Sequence, residues 1–549
     1  VQISPVYKTL LVIFSKIWKY LKIIGVGWMS STNLKTLLSI YLWIKKMRYQ
    51  IIFAGPAGKG PNLLGELISK ILVKQGYSVF YSRDYQSLIR GGHNFNLLSF
   101  SDKQIFSNES KSDLLVAFGE NFVEKHKSSL KKNSIVLAEK KSNMYFAGKI
   151  MNILCLDFNL LDSELKALGK RYEENIEEAK KGYAEVEKKV NLFKSPKISL
   201  RFENGSMGIS SGALVSGMEF YYAYPMTPAT PVLTELSQRT LDKKNKHKTI
   251  ELENEIAVAN AGVGSVIAGK KVMVGTSGGG FDLMSETLSL CGQAEIPLVF
   301  YLAQRPGPGT GVATYTGQGD LKIALNAGHG EFNRIVVAPG NPIEAVELTN
   351  QIFYLTQKSS SPGIILSDKH LAESYYSLQE SPKLIKVPSL NKLKRYSSYE
   401  QDPIIGSATE DAAQVIENFN IRETKRILIE REIKVNKFPK FKVYGKKNSK
   451  NIVLSWGSTS GAILDAISEL DCKFVQILYM EPFPIGVLSE LKKADKVVLV
   501  ENNFKGLLGD VLREQTGFKI SGQNKILRYD GRPFFSDELK FEIKGRLGK

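Results

Sequence analysis

Short apolar runs of four to eight residues, each ending at Gly or Pro, recur along this chain at intervals that leave room for one helix. That rhythm is expected of strands buried on both faces of a parallel sheet and joined by crossover helices. Residues 48–55 predict the first such strand, Gly55-Pro-Ala-Gly-Lys-Gly60 a tight turn, and Pro61 to Gln75 a helix with proline in its first turn. Strands at Tyr77–Ser82, Leu114–Phe118, Ile135–Ala138 and Ile153–Asp157 continue the alternation into one α/β domain over 47–190. From Asp162 to Val190 the rhythm changes. Leu165, Leu168, Tyr172, Ile176, Ala179, Tyr183, Val186 and Val190 step by three and four, which predicts a long amphipathic helix packed against the domain. Residues 191–204, with Ser195-Pro196-Lys197, read as a linker.

A second α/β domain is predicted over 205–376. In it, strand ends coincide with four unusual segments: Tyr224-Pro-Met-Thr-Pro-Ala-Thr-Pro231, Glu251-Leu-Glu-Asn-Glu255 heading a helix of small residues, Thr276-Ser-Gly-Gly-Gly-Phe281, and Gln304-Arg-Pro-Gly-Pro-Gly-Thr-Gly311. Apolar strands that each finish in such a turn bring every turn to the carboxyl edge of one parallel sheet, where ligands bind in α/β folds. Residues 377–450 lack clean periodicity and predict an irregular surface connector. Residues 451–549 alternate again, with strands at Ile452–Trp456, Phe474–Leu478, Val497–Val500 and Ile526–Tyr529 and a helix from Thr459.

Composition narrows the function classes. A chain of 549 residues exceeds a single core. The formal charge of +19 raises the possibility of a nucleic-acid surface, but the basic residues are dispersed among acids, as in Glu173 to Lys189, and a solvated surface suited to small anionic substrates is the preferred reading. Residues 1–46 are the exception, with seven Lys, no acid and Trp18, Trp28 and Trp43. Their longest uncharged run, Ile23 to Leu34, is too short to span a bilayer, so no integral membrane span is expected. The stretch reads either as a basic amphipathic membrane-surface segment or, preferably, as sequence upstream of a start at Met47 and not native. Cys155, Cys291 and Cys472 stand far apart with no CxxC pair, which leaves no zinc or iron–sulfur ligand set and points to a reducing, cytoplasmic setting.

The four segments, in their order and spacing, closely resemble the alpha subunit of 2-oxoacid:ferredoxin oxidoreductases, in the version whose gamma domain is fused at the amino end. Arg83-Asp-Tyr-Gln-Ser-Leu-Ile-Arg-Gly-Gly-His93 resembles that family's gamma-domain signature. Ala229 and Gly309 stand where serine is commoner in the family. The resemblance implies a gamma-type α/β domain, a thiamine diphosphate pyrimidine-binding α/β domain and a transketolase C-terminal-like α/β domain, in chain order. It also implies CoA-dependent oxidative decarboxylation of a 2-oxoacid, 2-oxoglutarate being favoured over pyruvate, branched-chain or indolepyruvate substrates, with electrons delivered to ferredoxin.

The resemblance assigns Glu255 to the aminopyrimidine N1′ of thiamine diphosphate, where a carboxyl group favours the imino tautomer needed for deprotonation at C2. Spacing alone does not choose among Glu251, Glu253 and Glu255, and an acid in a helix's first turn also serves the helix dipole. Arg305 is suited to bidentate clamping of the substrate carboxylate, with Thr227 offering a hydroxyl beside it; the alternatives are a solvated strand-end charge and a turn residue. Tyr224, Pro225, Ser277, Gly278 and Gly279 are the further cofactor-binding candidates, the glycines permitting close approach of a cofactor or of a neighbouring chain. The turn after Trp456 reads equally well as a plain strand-to-helix connection. No Gly-Asp-Gly occurs in the chain, and neither Gly509-Asp510-Val511 nor Gly319-Asp320-Leu321 completes one. A beta subunit is therefore expected to bring the diphosphate site, Mg²⁺ and a [4Fe-4S] cluster, in a heterodimer or dimer of heterodimers. A stand-alone thiamine transferase is disfavoured by the missing motif, and a basic nucleic-acid-binding protein by the dispersed charge.

Overall fold

The first domain is built on a sheet of five local strands: β1 (Tyr49–Ala57), β2 (Ser78–Asp84), β3 (Gly91–Ser101), β4 (Ser112–Ala117) and β5 (Leu130–Leu137). The computed structural model describes residues 48–548 other than 59, 87–90, 186–189, 191, 193–197, 243 and 394–396, so the readings made for 1–46 and for Ser195-Pro196-Lys197 lie outside the described residues. The apolar run after Arg48 is buried as β1, and α1 (Pro61–Lys74) begins with the proline that its first turn accommodates. β1 pairs in parallel with β4, and β4 with β5, but β3 runs antiparallel between β1 and β2.

Two expectations for this domain are corrected. No strand forms at Ile153–Asp157, because α2 (Asn143–Ile153) runs through Ile153 and the chain then turns at Cys155, whose φ is 52°. The amphipathic pattern after Asp162 is carried by two helices, Phe158–Leu168 and α3 (Tyr172–Ala184). They are separated by Gly169 and Arg171, both in the left-handed region that ends helices. After β4 the helix Glu120–His126 buries His126 against His93 and Phe95 of β3, with ring centroids 4.9 and 4.8 Å away.

The second domain contributes β6 (Arg201–Asn204), α4 (Gly205–Val215), β7 (Phe220–Ala223), β8 (Lys248–Glu251), α5 (Glu255–Ile267), β9 (Val272–Thr276), α6 (Gly278–Gln293), β10 (Val299–Gln304), α7 (Leu321–Asn326), β11 (Ile335–Val337), α8 (Pro342–Ser359), β12 (Gly363–Asp368) and β13 (Tyr375–Leu378). Its sheet has the order β11-β12-β10-β9-β7-β8, all parallel. One face packs Met273, Tyr301 and Ile365 against Ile209 and Ile352; the other packs Val274, Phe300 and Leu366 against Phe281 and Leu321. Double-sided burial explains why these strands read as continuous apolar runs. The first and last strands behave differently. β6 and β13 leave this sheet and extend the first domain's sheet beyond β2, so the expected linker and the boundary near 376 both hold strands of their neighbour.

The connector is not irregular throughout. It contains α9 (Ala412–Val435), capped by the Asp411 side chain, and β14 (Phe441–Gly445). The third domain then supplies β15 (Asn451–Trp456), α10 (Thr459–Ile467), β16 (Lys473–Ile477), β17 (Tyr479–Glu481), β18 (Lys496–Glu501), α11 (Leu507–Thr516) and β19 (Lys525–Leu527). Its sheet has the order β14-β16-β15-β18-β19, while β17 crosses to pair antiparallel with β11. Trp456, Leu454 and Leu499 share one continuous core with Val274 and Phe300, so the second and third domains are welded by apolar burial.

Candidate active site

In the second sheet β9 lies between β7 and β10, and all three point the same way, so the segments after Ala223, Thr276 and Gln304 meet at one edge. The chain leaves β7 through Tyr224 and Pro225, both exposed, and reaches Thr227 before the cis peptide to Pro228. From β10 it emerges at Arg305, followed by a second cis peptide at Gly307-Pro308. Arg305 Nη1 donates to the Thr227 carbonyl at 2.8 Å, while Arg305 Nε is buried without a partner. Two residues 78 positions apart in sequence are thus held together, and the guanidinium keeps donors for a further acceptor. Burial lowers the Arg305 pKa, and the neighbouring Asp320 carboxylate opposes that shift.

Glu255 opens α5, with the Asn254 side chain accepting from Ala257 N at 2.9 Å as the cap. The structure separates the three acids that spacing could not. Glu251 and Glu253 are exposed, whereas Glu255 is 3% exposed and its Oε1 is buried without a hydrogen-bond partner. A carboxylate that only complemented the helix dipole would have stayed in water; leaving a buried oxygen unpaired costs about 1–3 kcal/mol. The carboxyl is seated against Gly280 in the first turn of α6. A Cβ there would lie 2.1 Å from Thr276 Oγ1 and 2.5 Å from Glu255 Oε1.

Ser277 caps α6 in extended conformation without using its hydroxyl, which is also buried and unpaired. Gly278 is partly buried, and a Cβ on it would come within 2.6 Å of Asp320 Oδ2. Gly279 is exposed, with nothing nearer to its Cβ position than the Gly309 carbonyl at 3.9 Å. The glycine run therefore answers first to the chain's own carboxylates, at Gly278 and Gly280, and only Gly279 offers open backbone.

Two contributors escaped the sequence reading. Asp320 stood there only as part of an incomplete Gly-Asp-Gly, yet it lies beside Arg305 and Gly278. Burial and the nearby Asp282 raise its pKa to about 6. Gln318 is fully buried and ties the Arg305 segment to the third domain. Its Nε2 donates to the Trp456 carbonyl at 2.9 Å, and its Oε1 accepts from Asn502 N at 2.9 Å and Thr459 Oγ1 at 3.3 Å. The turn after Trp456 is accordingly a docking point for the site segment. Thr314 Oγ1 also donates to the Tyr85 carbonyl of the first domain at 2.7 Å. No local sequence signal marks either role, because both partners are distant in sequence. Among the described residues no cluster of three or more His, Cys, Asp and Glu is placed to hold a metal ion, and no helix is long and apolar enough to cross a membrane.

Residues 211–436 match the family described as "Pyruvate flavodoxin/ferredoxin oxidoreductase, thiamine diP-bdg", and residues 50–176 match "Pyruvate ferredoxin/flavodoxin oxidoreductase". The chain is 28% identical to the 2-oxoacid:ferredoxin oxidoreductase subunit alpha of Sulfolobus sp, over 90% of this chain and 96% of that one. It is also 28% identical to the 2-oxoglutarate synthase subunit KorA of Methanocaldococcus jannaschii, over 58% of this chain and 92% of that one. Its fold matches that of a 2-oxoglutarate:ferredoxin oxidoreductase from Magnetococcus marinus with a TM-score of 0.82 and 22% identity, covering 92% of this chain and 100% of that chain. The sheet-edge site, the two matched families and the near full-length relatives together place this chain in the family of 2-oxoacid:ferredoxin oxidoreductase alpha subunits, with a thiamine diphosphate-binding domain at its centre.

Proposed function

We propose that this chain supplies the aminopyrimidine half of a thiamine diphosphate site shared with a beta subunit, and that the assembled enzyme oxidatively decarboxylates 2-oxoglutarate in the presence of coenzyme A, passing two electrons to ferredoxin. The observation that carries the reading is the buried, unpartnered Glu255 Oε1, opposite Gly280 and at the same sheet edge as the Arg305–Thr227 pair. The residues fit the cofactor. Glu255 would hold the pyrimidine ring nitrogen, Ser277 has a free buried hydroxyl, and the open backbone of Gly279 with the exposed Tyr224 and Pro225 offers walls for the ring. When bound, thiamine diphosphate supplies the carbanion that adds to a 2-oxoacid carbonyl.

The rest falls to this chain's residues. Glu255 would place its carboxyl at the pyrimidine nitrogen, from a position buried away from water. Arg305 holds the substrate carboxylate, its own position fixed by the Thr227 carbonyl. The Thr227 side chain, partly buried beside that carbonyl, orients the substrate. Tyr224, Ile256, Leu283 and Val312 expose apolar surface on the segments that carry the site, as expected where a partner excludes water. The absence of Gly-Asp-Gly and of a cysteine set from the sequence supports assigning the diphosphate, Mg²⁺ and [4Fe-4S] sites to that partner, in a reducing, cytoplasmic setting. For the substrate, the support is the 2-oxoglutarate synthase relatives and the solved relative, which is described with 2-oxoglutarate, coenzyme A and succinyl-CoA bound.

Co-expression with the beta subunit and assay of ferredoxin reduction tests this directly. The complex is expected to be iron-containing and active, with 2-oxoglutarate used more efficiently than pyruvate or branched-chain 2-oxoacids, while the chain alone holds no cluster. Stoichiometric iron and sulfide in the isolated chain would overturn the division of labour, and a preference for pyruvate would overturn the substrate.

A further inference from the structure

Asp320 is fixed to the last residue of β10, next to Arg305, but its carboxylate is given no hydrogen-bond partner. Its backbone N–H donates to Gln304 Oε1 at 3.0 Å, and the same side chain, fully buried, donates through Nε2 to the Ser367 carbonyl of β12 at 3.0 Å. Asp320 precedes α7 without capping it, and its Oδ2 is buried and unpaired against Gly278. An acid tethered this firmly and left unsatisfied is characteristic of a functional site rather than of packing.

Among the described residues, the charges around it leave one attractive neighbour. Arg305 comes from the end of β10 and Asp282 from α6, while Glu255 of α5 is seated against Gly280 in the same turn that bears Gly278. On its own helix Lys322 is engaged by Glu514 of α11, and at the end of β12 Asp368 is bonded to Leu371 N and Thr316 Oγ1. Among the described residues Arg305 is the cation whose charge acts on Asp320, so Arg305 feels an acid of its own chain before any substrate arrives.

We propose that Asp320 is a proton-linked positioning residue for substrate selection: ionised, it competes with the 2-oxoacid carboxylate for Arg305, and protonated, it releases Arg305 to the substrate. The proposal rests on the reading of Arg305 as the carboxylate clamp and adds to it a charge that the clamp must discard. The direction of titration agrees. Burial and Asp282 hold Asp320 at about 6, Arg305 pulling it partly back, so a second anion on Arg305 raises it further and substrate binding takes up a proton at neutral pH.

The test is the pH profile of KM and kcat in the assembled enzyme. If substrate raises the Asp320 pKa by about one unit, wild-type KM for 2-oxoglutarate increases roughly tenfold as pH rises from about 5.5 to about 8, with kcat changing much less. Asp320→Asn should hold KM near its acid-limb value across the range, and Asp320→Glu should restore the slope. A wild-type slope persisting in Asp320→Asn, or a loss confined to kcat, would overturn the proposal. Arg305→Lys read at the acid limb, where Asp320 is protonated, tests the clamp separately: an unchanged KM there refutes the clamp, whatever Asp320→Asn does. Thermal unfolding gives a readout independent of turnover. Asp320→Asn should unfold at a higher temperature than wild type at pH 8, by a margin that shrinks on acidification, since the ionised, unpaired carboxylate is what burdens the fold; no gain at pH 8 would contradict that.

Discussion

Gly280→Ala perturbs the site through a single methyl group. The added Cβ would stand 2.5 Å from Glu255 Oε1, 2.8 Å from Glu255 Cγ and 2.1 Å from Thr276 Oγ1, against the roughly 3.5 Å at which such atoms rest. Thr276 ends β9 in the sheet interior, so the Glu255 carboxyl must retreat, by roughly 1 Å. Stability and activity then part company. Alanine gains about 1 kcal/mol of helix propensity over glycine in α6, and overpacking costs about 1–3 kcal/mol, so the net loss of stability is small. If Glu255 acts as proposed, a displacement of about 1 Å at its carboxyl costs on the order of 100-fold in rate. The assay is kcat for 2-oxoacid-dependent acceptor reduction together with thermal unfolding, set beside Gly264→Ala. Gly264 is an exposed position in α5 with nothing within 4 Å of its Cβ site, where alanine should stabilise without slowing turnover. A Gly280→Ala enzyme that turns over at the wild-type rate would show that the position of the Glu255 carboxyl is immaterial.

Three further outcomes follow from the same structure. Arg305→Lys cannot keep the hydrogen bond to the Thr227 carbonyl and still clamp a carboxylate bidentately, so kcat/KM should fall roughly 10- to 100-fold with thiamine diphosphate affinity nearly intact; equal efficiency would move the clamp elsewhere. Gln318→Leu leaves Asn502 N unpaired in the interior, and should lower the unfolding temperature and raise KM together, each lost partner costing about 1–3 kcal/mol; an unchanged KM would show that the third domain does not hold the Arg305 segment. His126 is buried neutral with its pKa lowered to about 4 by burial and by its neighbours His93 and Lys125. Its contribution is complete above about pH 6.5 and is lost as pH falls toward 4, about 2 kcal/mol between pH 7 and pH 5, so His126→Phe should flatten the stability profile measured by denaturant unfolding; parallel profiles would contradict this.

What could be read from the sequence was whatever is local in the chain. β1 and the strands ending at Ala223, Thr276 and Gln304 announce themselves because burial on both faces makes each a continuous apolar run closed by Gly or Pro, and α1 by the proline in its first turn. β3 was missed because Asn94, Asn96 and Ser99 interrupt the continuous apolar run by which the buried parallel strands are recognised. The strand exchange of β6 and β13 depends on pairing across more than a hundred residues, beyond the reach of any window. The site divides in the same way. Motif spacing brought Thr227, Arg305 and the three acids to one sheet edge, but the distinction between Glu255 and its exposed neighbours is a matter of burial, and Asp320 acquires its character only from Gly278, Asp282 and Arg305 around it.

The central claim, that Glu255 is the acid which governs the cofactor, is tested most directly by the rate of C2 proton exchange on thiamine diphosphate bound to the assembled enzyme, compared among Glu255→Gln, Glu253→Gln and Glu251→Gln. Glutamine keeps the size and a hydrogen-bonding group but removes the carboxyl. Exchange in Glu255→Gln should therefore slow by about 10²- to 10⁴-fold while cofactor affinity changes far less, and the two exposed positions should exchange at nearly the wild-type rate. Wild-type exchange in Glu255→Gln, or a large loss at Glu253→Gln instead, would contradict the assignment.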